Sequence, residues 1–239
     1  MSLINKVAAI VDNKVPLKDL KYTNPFVYES GQGILGINWK NILPKPPAND
    51  SATTKRELDL VIEAAANRSN KATELVYKVD DDPLHLFYDF LDKRQLKYNR
   101  SLFEEYYNIL ESYVYALKYH HNRPRPDQIA PYYNKEVKVI YTSTHQTPAY
   151  PSGHTAYAAL AAHMLSKKFP EYKKEFFGLA EQAGTARILQ GVHYPSDNVA
   201  GMTLAKVIFE EIERKVKDVS KRTKTFPSDY TGTAYTKTS

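Results

Sequence analysis

The chain has 239 residues, of which 42% are apolar, 12% aromatic and 25% charged, with a formal charge of +6 at pH 7. This composition suits one large globular domain and excludes a wholly disordered chain. The lack of cysteine removes disulfides, thiolate catalysis and cysteine-ligated metal, while the basic balance favours anionic partners without choosing among nucleic acid, lipid and phosphorylated metabolites.

Residues 1–50 read as an irregular N-terminal segment packed on the domain, ending in the linker-like "PKPPAND" at 44–50. Asp12, Asn13 and Lys14 interrupt any apolar signal region, so a cytoplasmic protein is expected. Helices dominate from 51 to 218. Leu58, Val61, Ile62 and Ala65 follow helical spacing, "PLHLFYDFLDKR" predicts a second helix, and Leu102, Tyr106, Ile109, Leu110, Tyr113 and Leu117 form the stripe of a third. "KEVKVIYTST" at 135–144 is the single predicted strand. A helix from Ser152, rich in small alanines, suits a bundle core; another closes at Gly191, and a last one opens at Pro195. Residues 219–239 are polar and aperiodic and predict a flexible tail. The uncharged stretch from Val139 to Ser166 holds His145, Gln146, Pro148 and Pro151, which argue against a membrane span. The expectation is an all-α, single-domain helical bundle.

"KYHHNRPRP" at 118–126 concentrates cationic and imidazole side chains, and Pro124 and Pro126 fix the backbone that aims Arg123 and Arg125. Lys118 with Arg125, then "PSGH" at 151–154, then Arg187, His193 and Asp197 all stand at helix boundaries. Ser152, Gly153 and His154 supply a helix N-terminus, whose free N–H groups and dipole favour an anion. Phosphoryl transfer needs fixed cations for the equatorial oxygens, a role for Lys118, Arg125 and Arg187. It also needs an in-line nucleophile and an acid on the leaving oxygen, which assigns His193 and His154; Asp197, four residues beyond His193, is placed to fix its tautomer. His85, His120, His121, His145 and His163 are expected to be caps or surface groups, and Arg123 to widen the positive rim or face water.

The order K-x6-R-P, P-S-G-H, R-x5-H-x3-D resembles the signature of the phosphatidic acid phosphatase type 2 superfamily, which includes bacterial non-specific acid phosphatases and vanadium-dependent haloperoxidases. Ala186 stands where that family usually has serine. The resemblance implies an α-bundle core and a metal-independent phosphatase acting on soluble phosphomonoesters, nucleotides and pyrophosphates included. It further implies a phosphohistidine on His193, protonation by His154, orientation by Asp197, and phosphate held by Lys118, Arg125, Ser152, Gly153 and Arg187. No cofactor is implied; vanadate enters as an inhibitor, or as cofactor if the chain is a haloperoxidase, for which it is short. Relatives of similar size often self-associate, which implies a homo-oligomer. No zinc spacing of the H-E-x-x-H kind and no G-x-S-x-G elbow occurs, so neither a catalytic metal nor a serine nucleophile is expected. A non-enzymatic binder of anions or nucleic acid is the competing class, although the Lys-rich 167–175 stretch alternates in sign and no stable nucleic-acid complex is expected.

Overall fold

The computed structural model describes residues 15–22 and 35–224, with side chains through residue 219. Part of the expected N-terminal segment and positions 225–239 of the expected tail lie outside the described residues. Among the described residues eight helices are formed: α1 (Ala52–Ala66), α2 (Asn70–Asp81), α3 (His85–Lys93), α4 (Arg100–His121), the single turn α5 (Pro126–Ile129), α6 (Gly153–Lys168), α7 (Lys173–Gln190) and α8 (Pro195–Lys224), joined by short 3-10 turns.

Local chemistry sets the starts. Ser51, Ser69 and Asn99 accept hydrogen bonds from the backbone N–H groups of Thr54, Ala72 and Leu102, capping α1, α2 and α4. Gly191 ends α7 in the left-handed region at φ 87°, where a Cβ would meet the Val137 side chain at 2.8 Å.

α6 lies at the centre, packed on α7, α8 and α4. Ala156, Ala158, Ala159, Ala161 and Ala162 are all buried, so this helix has no solvated face and its small side chains let neighbours come close. Gly201 on α8 makes the nearest approach possible, because a Cβ there would sit 2.6 Å from the Ser152 carbonyl oxygen. The Ser152 N–H in turn donates to the Asp197 carbonyl at 3.0 Å, which locks the start of α6 against the start of α8. A smaller core of Leu58, Val61, Ala65, Ile129, Val137 and Tyr194 seats α1 over this junction.

Three expectations change. The 135–144 segment is not a strand: Val139 N–H turns back to the Val137 carbonyl, and the Ile140 bond to the Gln190 carbonyl joins it to a helix end, so no ladder forms. α2 was not expected; Val76 and Val79 bury it against α7. Finally, α8 continues through Lys224, so residues 219–224 are helix rather than tail. No described helix is long and apolar enough to cross a membrane.

Candidate active site

α4 carries Lys118 in its last turn, and Asn122 at φ 48° reverses the chain into the Arg-Pro-Arg-Pro run. Pro126 opens α5 while the Arg125 N–H donates to Gln128 Oε1 at 2.9 Å, so the backbone is fixed on both sides of the guanidinium. Arg125 is 2% exposed and donates to the carbonyls of Thr147 and Val192, each at 2.8 Å. Its Nη1 also lies 3.2 Å from His193 Nε2. A guanidinium only donates, so Nε2 accepts and the proton sits on Nδ1, which faces Asp197 Oδ2 at 3.1 Å. His193 therefore presents the neutral tautomer that nucleophilic attack requires. Burial and then the Arg125 charge push its pKa well down against the pull of Asp197.

Asp197 is itself enclosed. Its Oδ2 accepts from the Tyr194 N–H at 2.9 Å and its Oδ1 from Arg123 Nη1 at 2.6 Å. Burial alone would raise its pKa, but the Arg123 charge and the His193 bond hold it well below the usual carboxylate range. Arg123 neither widens a rim nor faces water: it is 2% exposed, lies 4.0 Å over the Tyr194 ring, and contacts Glu57 of α1 at 3.4 Å. Glu57 also accepts from the Ser196 N–H at 2.9 Å and hydroxyl at 2.6 Å, which closes the cluster behind His193.

His154 occupies the first turn of α6, with Nε2 3.3 Å from the Asp80 carbonyl oxygen. Burial and the Arg187 charge push its pKa well down. Arg187 is fully buried and donates to Asp80 Oδ1 at 2.5 Å; the same oxygen accepts from Thr144 at 2.5 Å and Gln190 at 3.3 Å. Burial would raise the Asp80 pKa, yet these bonds bring it to about 2. The Arg187 Nε–H is buried without a hydrogen-bond partner.

Lys118, Arg125, Gly153, His154 and His193 line one cavity of about 690 Å³. Lys118 is 4% exposed and donates to the Pro148 carbonyl at 2.6 Å; burial and the Arg125 charge push its pKa well down. Arg125 is likewise lowered to about 10 by burial and Arg187. Ser152 stands apart from the role expected of it. Its N–H is spent on Asp197, and its hydroxyl lies 2.9 Å from Thr155 Oγ1 in a seam that continues to Asn198. The N–H groups at the start of α6 belong to Gly153 and His154, which have no intrahelical acceptor at those positions.

Sequence reading missed Asp80, because it sits on the unexpected helix, and Glu57, which an amphipathic helix hides among its other charges. His145, expected to be a cap or surface group, caps the 3-10 turn Ser143–His145. The Thr142 N–H donates to His145 Nδ1 at 3.2 Å, and burial with Arg125 and Arg187 lowers its pKa to about 4. Ala186 is fully buried in the core.

The family model for the PAP2 superfamily matches residues 106–220. The matched stretch starts within α4 and contains every candidate named from the signature. A non-specific acid phosphatase of Salmonella typhi is 38% identical over 65 residues, 27% of this chain and 26% of that protein. A lipid A 1-phosphatase of Rhizobium etli is 35% identical over 54 residues, 23% of each chain. The matched stretch thus spans about a quarter of the length of these relatives. Among solved structures, a transmembrane PAP2-type phosphatidylglycerolphosphate phosphatase from Bacillus subtilis superposes with a TM-score of 0.47 at 21% identity, covering 74% of this chain and 90% of that one.

Proposed function

We propose that the PAP2 domain hydrolyses phosphomonoesters through a phosphohistidine on His193. The observation that carries this reading is electrostatic: Lys118, Arg125 and Arg187 are buried together, and their charges lower one another's or a neighbour's pKa. The nearby carboxylates are already committed, Asp197 to Arg123 and His193, and Asp80 to Arg187. A phosphoryl dianion beside the neutral imidazole relieves that repulsion, and the Gly153 and His154 N–H groups add donors that need no reorganisation.

In the first step the His193 Nε2 lone pair attacks phosphorus, leaving its contact with Arg125, as the ester P–O bond breaks. Asp197 keeps Nδ1–H and balances the charge that grows on the ring. With Nε2–H of His154 turned to the Asp80 carbonyl, the second imidazolium proton, on Nδ1, is the one given to the leaving oxygen. Water then attacks phosphorus, His154 recovers its proton from that water, and the N–P bond breaks to release phosphate. Burial and the Arg187 charge push the His154 pKa well down, which makes the protonated acid scarce at neutral pH, so the rate falls as pH rises through that lowered pKa. No metal enters these steps, and orthovanadate, as a five-coordinate mimic, competes for the cradle.

The test is release of inorganic phosphate from 4-nitrophenyl phosphate in excess chelator. The native chain turns over, and His193→Ala loses at least about 10⁴-fold, the scale seen when a nucleophile is removed. Activity retained in that variant rejects the mechanism. Short-chain esters compared with vesicle-borne phospholipid esters decide between a soluble and a lipid substrate.

A further inference from the structure

The cavity extends well beyond the phosphate cradle, along one face of α4. Phe103, Glu104, Tyr107, Glu111, Tyr115 and Lys118 all line it, at spacings that stack residues on a single helical stripe. Lys118 marks the phosphate end. Glu111 lies two turns toward the mouth, about 10 Å at the helical rise of ~1.5 Å per residue. A leaving group attached to a phosphate in the cradle must run along this wall.

The wall has the opposite character to the floor. Tyr107 and Tyr157 stack with ring centroids 4.1 Å apart and 27° between planes, and Glu111 lies against them through a hydrogen bond with Tyr157. Asp81, Asp82 and Glu104 line the same mouth, where Arg100 is the only lining cation among the described residues. Arg100 is drawn aside, 4.8 Å over the Tyr88 ring. Glu111 forms no ion pair among the described residues, and burial raises its pKa, the mark of a carboxylate that lacks a cation. Aromatic faces beside an unpaired carboxylate are the surroundings that stabilise an ammonium group.

We propose that Glu111, with Tyr107 and Tyr157, is a specificity-determining group that selects zwitterionic substrates: phosphomonoesters of small alcohols bearing an ammonium or quaternary ammonium group. The cationic floor takes the phosphate and the anionic aromatic wall takes the ammonium. Leaving groups with further negative charge, including nucleotides and pyrophosphates, meet repulsion from the wall. The inference rests on the phosphatase reading for its direction along α4.

The experiment compares phosphocholine with 3,3-dimethylbutyl phosphate, which has the same shape without the charge. In the native chain kcat/KM favours phosphocholine by about tenfold, the scale of one partly desolvated cation–π and charge contact. Glu111→Gln brings that ratio to within about twofold, whatever happens to the absolute rates. A native ratio near one, or an unchanged ratio in Glu111→Gln, overturns the assignment. Binding of both esters to His193→Ala by calorimetry is the second arm. If no ester is hydrolysed by the native chain, the phosphatase reading fails, yet a preference for phosphocholine in that arm still supports the leaving-group wall, and equal affinities overturn it.

Discussion

The two imidazoles of the cavity are held by surroundings of unequal stiffness. His193 is bonded at both nitrogens, to Asp197 and to Arg125, and Asp197 is fixed in turn by Arg123, the Tyr194 N–H and, through Arg123, Glu57. His154 has one 3.3 Å contact to a peptide carbonyl and remains partly exposed. The difference suits the roles proposed for each. A nucleophile must keep one tautomer and one aim through the whole cycle, which a buried, fully bonded network enforces. An acid must lose and regain a proton within each turnover, which a closed network on both nitrogens would hinder.

The stiff side breaks with the largest effect. Arg123→Met removes the cation and leaves the Asp197 carboxylate buried beside a His that it must hold alone. Breaking a buried pair in this way costs about 3–5 kcal/mol. For a chain of this size that lowers Tm by roughly 10 °C, and phosphate release falls with it because Asp197 no longer fixes His193. A Tm within a degree or two of the native value in thermal unfolding would show that Arg123 is not the keystone of that side. The loose side predicts a smaller loss that depends on the substrate. His154→Ala lowers the rate by about 10²–10⁴-fold on an alkyl phosphate, whose poor leaving oxygen needs the proton, and much less on 4-nitrophenyl phosphate. Equal losses on both esters would remove His154 from the acid role.

This contrast also marks what the sequence made legible. Part of the stiff side is written in a short spacing: His193 and Asp197 are four residues apart, which foretold their pairing, whereas Arg123, read as a rim or solvent group, reaches Asp197 across 74 positions. Even there, Glu57 escaped notice, because it reaches the cluster from a helix whose polar face looks like any solvated one. The loose side is tertiary. Asp80 meets Arg187 across 107 positions and lies at the C-terminal end of α2. Thr144 reaches the cavity at the end of a segment read as a strand, which failed to be one because no second strand exists beside it among the described residues. The bundle was readable from helical periodicity, since α1, α3, α4, α6, α7 and α8 each carry their own pattern or terminal signal. Which carboxylate lies opposite which cation was not, because ion pairs leave no periodic trace.

The smallest expected effect concerns pH and stability, and it separates the two sides once more. His145, beside Arg125 and Arg187, and His121, beside His120, Lys45 and Lys21, have folded pKa values of about 4, lowered first by burial and then by those charges. In the unfolded chain both titrate near 6.5. Between pH 6.5 and 4 the unfolded chain therefore binds protons that the folded chain refuses, so stability is full above 6.5 and declines as pH falls through that window. His154 and His193, also lowered, act in the same direction. Glu111 and Asp127, whose burial raises their pKa, oppose it by taking up protons earlier when folded. Five imidazoles, with His163 also lowered by burial, outweigh two acids, and Tm falls by several degrees from pH 7 to 4, with solvent screening at the partly exposed His121 and His145 keeping the change modest. His145→Gln flattens part of that slope, whereas a mutation on the exposed face of α8 does not. A Tm that stays level or rises as pH falls over this range would mean that the cationic cradle does not suppress protonation of its own histidines, and the electrostatic picture of the site would fail with it.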